Sequence, residues 1–226
     1  MKYYPVNFNI RNKACLIVGG GSVAYRKMIR LMECSAIVTL VSPEFDSRLL
    51  EAAKKSDINL INRGVLPQDL DGFFMVFATC NDYQKNKTIA KWAKQKNVLC
   101  NIADNPDISD FTLPSIIEQG DLILTISTNG KSPALSKHLR KSLMSEFGEE
   151  YAIFLLIMDK IRSNLSQKIS MQNERKKIYY ELIDKDLLSA IKKKDFDCIS
   201  KIFCDLSECC ESEIIDSDIV DRIKAL

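Results

Sequence analysis

The chain has 226 residues, of which 46% are hydrophobic and 27% charged, and its formal net charge is +2. This composition is typical of a globular protein with one large or two small domains, and it predicts no nucleic-acid or membrane partner. No apolar run reaches the ~18 residues of a membrane span, and the first residues lack the apolar core of a signal peptide, so we expect a cytoplasmic protein.

The first predicted element is a strand that leads into three glycines. Residues 14–18 are apolar, as in a strand buried on both faces of a parallel sheet. Gly19 and Gly21 match the first glycines of the dinucleotide pattern G-x-G-x-x-G/A, and Ala24 takes the third place. The glycines allow a tight turn and close approach of a pyrophosphate to a helix N-terminus. A glycine turn that binds no nucleotide is the alternative.

Helix and strand patterns then alternate. Helical spacing after the glycines is carried by Ala24, Met28, Leu31, Met32 and Ser35. Further strands are predicted at residues 37–41, 58–61, 73–78 and 98–102, and further helices at residues 46–55 and 83–97. This alternation predicts an α/β fold with an N-terminal Rossmann-like parallel sheet.

The pattern changes near Phe111. Two apolar runs, 112–117 and 122–127, predict a hairpin, and a helix begins near Ser132-Pro133. That helix carries Leu135, Leu139, Leu143 and Phe147 on one stripe. From Tyr151 onward the sequence is helical and charged. We predict three parts, namely residues 1–112 for NAD binding, 113–147 as a central dimerisation and substrate segment, and 148–226 as a helical domain.

The eight cysteines fall into two groups. Small buried hydrophobic residues are predicted at Cys15, Cys34, Cys80 and Cys100. Reduced thiols on a helical tail, rather than a zinc site, are predicted for Cys198, Cys204, Cys209 and Cys210, because no C-x-x-C pair occurs.

Ligands of open parallel sheets bind at the carboxyl ends of the strands. The loops that meet this rule cover residues 19–23, 42–44, 79–82 and 103–110. The predicted cofactor site takes Gly19, Gly21, Ser22, Val23, Ser42, Pro43 and Thr79 from them. At the tip of the second strand stands Ser42, with neither an acidic residue for ribose hydroxyls nor an arginine for a 2′-phosphate. The missing arginine favours NAD over NADP.

Two other loops carry candidate chemistry. Asp104 follows the fifth strand, where a carboxylate can take a proton from a substrate over the nicotinamide; an Asx turn before Asn105 is the alternative. The turn 127–133 leads into a helix and suits an anion or carboxylate; helix capping by a loop hydroxyl is the alternative. Basic residues follow it at Lys137, His138, Arg140 and Lys141.

Taken together, these motifs resemble the precorrin-2 dehydrogenases, a family that includes the N-terminal module of siroheme synthase. The matching segments are residues 18–24 with Arg26-Lys27, 78–79, 101–104, 111–116 and 126–135. The resemblance implies NAD-dependent oxidation of precorrin-2 to sirohydrochlorin, with Asp104 as the essential carboxylate. Some members also insert ferrous iron, and in them Asp104 assists at the metal. Whether this chain does so, and with iron or cobalt, stays open.

The resemblance also implies where the tetrapyrrole lies. We assign to substrate binding Asn101, Ser127, Thr128, Gly130, Lys131 and Ser132. The substrate is a polycarboxylate, which suits this turn and its basic neighbours. Members of the family are homodimers whose central segments intertwine, so a homodimer is expected.

Two other functions are weighed against this one. A nucleotide-sensing Rossmann module without catalysis is expected to carry an acidic residue at the tip of the second strand, and it leaves segments 111–114 and 127–133 unexplained. A dehydrogenase of a small metabolite usually has a larger substrate domain and a His or Lys as general acid. The chain has a single histidine, His138, which supports this function poorly.

Overall fold

The computed structural model describes residues 2–205 and 211–226 of the chain. These form two compact units, Met1–Leu113 and Pro114–Leu226. None of the helices in the described ranges has the length and apolar character that a membrane span requires. Cys209 and Cys210 lie outside the described residues.

The first unit is a parallel sheet covered by helices. Its strands are β1 (Ala14–Val18), β2 (Ile37–Ser42), β3 (Asn59–Asn62), β4 (Met75–Ala78) and β5 (Leu99–Ile102), in the spatial order β3-β2-β1-β4-β5. Its helices are α1 (Ser22–Glu33), α2 (Ser47–Lys55) and α3 (Tyr83–Gln95). The predicted α/β fold is therefore confirmed. Because β1 lies between β2 and β4, the connections leave it toward opposite edges, and a ligand crevice opens at such a reversal.

Strand β1 is buried on both faces, as predicted. Cys15 and Ile17 pack with Met28 of α1 on one face, whereas Leu16 and Val18 pack with Ile89 of α3 on the other. Because alternate side chains of a strand point to opposite faces, two apolar layers meet at this strand. The sheet is thereby held between helices, with its carboxyl edge formed by loops.

Two expectations at the end of α1 are wrong. Ser35 lies beyond the helix, which ends at Glu33, and takes a left-handed φ of 57°. Cys34 is exposed rather than buried, because it follows the last helical turn at the surface. Cys15 and Cys100 are buried as expected, and Cys80 is half-buried.

The second unit begins with a hairpin and continues as helices. The hairpin pairs β6 (Ser115–Gln119) with β7 (Leu122–Ile126), as predicted, and turns through Gly120 at a φ of 56°. The helices are α4 (Pro133–Leu143), α5 (Glu149–Lys168), α6 (Gln172–Asp184), α7 (Leu187–Lys193), α8 (Phe196–Cys204), α9 (Glu211–Ile214) and α10 (Ser217–Ala225). A core on one face of α5 is built from Ile153, Ile157, Ile161 and Leu165, at helical spacing. The boundary predicted at residue 147 stays a prediction.

Helix α4 departs from the predicted stripe. Phe147 lies beyond its end at Leu143, and Leu135 and Leu139 are 47% and 37% exposed. The buried residue of this helix is Ser136 instead. The apolar side of α4 is therefore left at the surface.

Candidate functional site

The glycine loop between β1 and α1 is shaped by two close approaches. Gly19 has a φ of +128°, and a Cβ there would lie 2.5 Å from Thr79 Oγ1. A Cβ on Gly20 would lie 1.9 Å from the Glu44 carbonyl oxygen. Side chains are thus excluded at both positions, by backbone conformation at Gly19 and by the neighbouring loop at Gly20. Sequence reasoning missed Gly20, although the run of three glycines was a signal for it.

Replacing Gly20 with alanine is expected to lower the free energy of unfolding by about 2 kcal/mol or more, since backbone must shift to admit the methyl group. Urea denaturation measures this loss. The matched control is Gly64→Ala, because a Cβ on Gly64 meets no atom within 4 Å. Equal stability of the two variants would show that the loop does not need glycine at position 20.

The start of α1 fits a dinucleotide. Gly21 is its N-cap residue, and no side chain caps the helix. Helices α2 and α3, in contrast, have Asp46 and Asp82 as N-cap residues, whose carboxylates accept backbone N–H bonds. A Cβ on Gly21 would meet nothing within 4 Å, so the space before the helix is open. The N–H groups and positive dipole end at Ser22 and Val23 therefore suit a pyrophosphate.

The second loop carries a paired arginine. Ser42, at the end of β2, is buried and lies against Gly20. Asp46 accepts two bonds from the Arg48 guanidinium, at 2.9 and 2.7 Å, and this pairing lowers the pKa of Asp46 to about 2. The same guanidinium lies 5.1 Å from the ring centre of Tyr25. Sequence reasoning missed Arg48 because it stands six residues beyond the strand tip.

The third loop is tied to β1. Thr79 donates twice to the Val18 carbonyl oxygen, from its backbone N–H at 2.8 Å and from its hydroxyl at 2.9 Å. Its side chain is therefore used to seat the loop beside Gly19. Asn86 of α3 then holds the next residue, Cys80, by a pair of hydrogen bonds. Sequence reasoning missed Asn86, whose only signal was a poor helix former inside a helix.

Asp104 is exposed on the loop after β5, at the same end of the sheet as the glycine loop. Its Oδ1 accepts a bond from Asn86 Nδ2 at 3.2 Å. The Asx turn is made by Asn105, whose Oδ1 accepts the Asp107 N–H at 3.0 Å. The Asx-turn alternative for Asp104 is therefore wrong, and its carboxylate is left for another use.

Asn101 is the other predicted site residue of this region. It is buried in β5, and its Nδ2 donates to the Phe111 carbonyl oxygen at 2.9 Å. That bond holds the chain as it leaves the sheet. A contact between Asn101 and substrate stays a prediction.

Lys27 is a half-buried cation on α1. Its ammonium lies 5.7 Å from the ring centre of Phe77, and no carboxylate of the described residues forms an ion pair with it. Burial lowers the pKa of Lys27 to about 8, with a further lowering from Arg26. Charging this amine in the folded protein therefore costs free energy.

Replacing Lys27 with methionine is expected to raise the melting temperature at pH 7 by a few degrees. The pKa of this group is lower in the folded than in the unfolded chain, so between pH 8 and 10.5 the unfolded chain binds more protons and the folded state gains stability as pH rises. The advantage of the variant should therefore shrink from pH 7 to pH 10. Thermal denaturation at both pH values measures it against Lys54→Met, an exposed control on α2. A gain that is independent of pH would contradict this explanation.

The turn 127–133 in the second unit caps α4. Ser132 Oγ accepts the Leu135 N–H at 3.2 Å, and Thr128 Oγ1 accepts the Ser132 N–H at 3.2 Å. Ser127 Oγ accepts the Asn129 N–H at 3.3 Å, and Gly130 takes a φ of 77°. Capping by loop hydroxyls, the alternative weighed above, is therefore confirmed. Anion binding by the turn and by Lys131 stays a prediction.

The described residues contain no group of three or more His, Cys, Asp or Glu side chains placed to hold a metal ion. Burial raises the pKa of Cys15 to about 11 and that of Cys100 to about 12, so both are protonated thiols near neutral pH. Cys198 is half-buried and Cys204 exposed, both as free thiols.

Two family models match the chain in succession. A putative NAD(P)-binding family matches residues 6–115, and the central region of the sirohaem biosynthesis proteins matches residues 119–145. The two matches follow one another along the chain, with a gap of three residues between them. The first match covers the sheet strands and the glycine loop, and the second runs from the last residue of β6 through β7 and α4.

Curated proteins similar to this chain are siroheme synthases. Siroheme synthase 3 of Aeromonas hydrophila is 31% identical over 188 residues, and the siroheme synthase of Psychromonas ingrahamii is 30% identical over 194 residues. The alignments cover 83% and 86% of this chain but 40% and 41% of those proteins. The chain thus spans about two fifths of the length of the curated relatives it matches.

A solved structure shares the fold. It is SirC, precorrin-2 dehydrogenase, with a TM-score of 0.76 and 24% sequence identity, and the match covers 88% of this chain and 98% of that one. The α/β sheet and the helical C-terminal part are therefore shared with that structure.

Proposed function

We propose that this chain oxidises precorrin-2 to sirohydrochlorin with NAD as oxidant. One observation carries the proposal: an open, uncapped helix start at Gly21 and the Asp104 carboxylate lie at the same end of one parallel sheet. The first suits a dinucleotide, and the second suits proton removal. The names of the siroheme synthase relatives and of the structural neighbour support the substrate.

The cofactor residues are those of the three loops at the carboxyl ends of β1, β2 and β4. They are Gly19, Gly21, Ser22, Val23, Ser42, Pro43 and Thr79. When bound there, the nicotinamide supplies a hydride acceptor. NAD is preferred to NADP in this proposal because Arg48, the cation near this edge, is already paired with Asp46.

The oxidation removes two hydrogens from precorrin-2. One leaves as a hydride to the oxidant, and the other leaves as a proton. Asp104 is the base that accepts this proton, and the new double bond extends the conjugation of the macrocycle. The products are sirohydrochlorin, reduced cofactor and one proton, so atoms and charge balance.

The carboxylates of the substrate need cations. In the second unit the turn with Ser127, Thr128, Gly130, Lys131 and Ser132 stands beside the basic residues of α4, which are Lys137, Arg140 and Lys141. Arg140 already donates from Nε to the Ile116 carbonyl oxygen at 2.8 Å, which fixes its side chain. These residues are proposed substrate contacts of the second unit, and Asn101 is a proposed contact of the first.

A homodimer is part of the proposal. The apolar side of α4, formed by Leu135 and Leu139 and continued by Met144 just after the helix, is exposed in the single chain, and a second copy would cover it. Sedimentation equilibrium measures the oligomeric state; a monomer at micromolar concentration would contradict this part. A cytoplasmic location stays a prediction.

The decisive experiment mixes the purified chain with precorrin-2 and NAD without oxygen and follows the absorption spectrum. NAD-dependent appearance of sirohydrochlorin is expected, with NADP slower. A parallel reaction contains ferrous iron as second substrate, and metallation faster than without protein would show ferrochelatase activity, in which Asp104 would contact the metal. If NAD binds but precorrin-2 is unchanged, the nucleotide-sensing alternative is favoured instead.

A further inference from the structure

Asn86 is a fully buried polar side chain near the start of α3. A buried amide is costly unless its donors and acceptor are paired. Its Oδ1 accepts the Cys80 N–H at 3.1 Å, and its Nδ2 donates to the Cys80 carbonyl oxygen at 2.9 Å and to Asp104 Oδ1 at 3.2 Å. Only one orientation of the amide satisfies all three bonds, so both ends of the side chain are fixed.

These bonds join two loops at the carboxyl edge of the sheet. Cys80 follows Thr79, whose hydroxyl is bonded to β1 beside Gly19. Asp104 belongs to the loop after β5. A single buried side chain therefore connects the loop that borders the proposed cofactor site to the proposed base.

The contact leaves one carboxylate oxygen available. Asp104 Oδ1 is held by Asn86, whereas Oδ2 has no hydrogen-bond partner among residues 2–205 and 211–226. The donor is a neutral amide, so it orients the carboxylate without cancelling its charge. This is the arrangement that a base needs when it must accept a proton in one direction.

We propose that Asn86 is a positioning residue for Asp104, which aims Oδ2 at the proton that the substrate loses. This inference rests on the proposed function. The competing explanation is that Asn86 only closes the Cys80 loop and stabilises the fold. The two differ in whether the effect of Asn86 passes through Asp104.

A double-mutant cycle separates them. Asn86→Ala is expected to lower kcat for precorrin-2 oxidation about 10- to 100-fold, because the base loses its orientation, with little change in KM or in the Kd for NAD. In an Asp104→Ala background, measured by single turnover, Asn86→Ala should cause no further loss. Equal losses in both backgrounds, or a normal kcat in Asn86→Ala, would overturn the proposal.

A second variant controls for misfolding of Asn86→Ala, because that change leaves the N–H and the carbonyl oxygen of Cys80 without their partner. Asn86→Asp keeps the shape and the acceptor for the Cys80 N–H, but it places a carboxylate against Asp104 in place of a donor. A kcat loss at least as large as that of Asn86→Ala is expected. Thr88→Ala, on an exposed part of the same helix, should leave kcat unchanged.

An activity-independent readout tests the contact itself. The Asn86 side-chain NH₂ resonance, assigned by its loss in Asn86→Asp, is expected to shift in Asp104→Ala and not in Asp107→Ala. No shift in Asp104→Ala would overturn the proposal even if the enzyme is active. If the wild-type chain binds NAD but does not oxidise precorrin-2, the proposed function fails, whereas a shift in this spectrum would still show that Asn86 contacts Asp104.

Discussion

Replacing Asp104 with alanine is expected to lower the rate of precorrin-2 oxidation by about 10²- to 10⁴-fold, the usual effect of losing a general base. The carboxylate is exposed, so its removal leaves no buried cavity, and the fold should be retained. Binding of NAD should also be retained, because the proposed cofactor loops follow β1, β2 and β4 and do not include Asp104. Binding of precorrin-2 should be retained because other residues make its proposed contacts. Anaerobic kinetics and equilibrium titrations measure the two effects separately.

The same loop offers a matched control. Asp107 is exposed three residues later and pairs with Lys2 at 2.8 Å on the surface. Asp107→Ala removes one carboxylate from the same loop and should leave turnover normal. If Asp104→Ala turns over like Asp107→Ala, the proton must go elsewhere and the assignment of the base is wrong.

Replacing Gly21 with aspartate is expected to abolish detectable NAD binding. Its Cβ has open space, so the variant should fold, and an aspartate at the N-cap of α1 is itself stabilising. The new carboxylate would accept the N–H bonds of the helix start and repel a pyrophosphate there. Loss of binding with an unchanged or slightly raised melting temperature is therefore expected, by NAD titration and thermal denaturation.

Gly64→Asp is the control for the added charge, because Gly64 also has open space around its Cβ and lies outside the three cofactor loops. It should bind NAD normally. An NAD titration of Gly21→Asp that matches wild type would remove the glycine loop from the cofactor site.

Local patterns predicted most of the sheet unit. The apolar run 14–18 is a strand buried on both faces, and the glycines after it form the turn into α1. Such features depend on residues close in the chain, so periodicity and glycine placement report them. The parallel pairing of the sheet also followed, because alternating strands and helices imply right-handed crossovers.

Contacts between distant loops could not be read this way. Asn86 and Asp104 are 18 positions apart on different elements. Gly20 must lack a side chain because the carbonyl oxygen of Glu44 lies against it. Sequence spacing gives no distance between such groups. The exposure of Cys34 was missed for a related reason, since burial at a helix end depends on what the next segment covers.

Main-chain atoms set the shape of the glycine loop. The Gly19 N–H donates to the Val41 carbonyl oxygen at 2.9 Å, and the Asp46 N–H donates to the Gly20 carbonyl oxygen at 2.8 Å. Bonds of this kind survive almost any change of the side chains around them. Apart from Gly19 and Gly20 themselves, side chains near this loop can therefore change without removing the bonds that shape it.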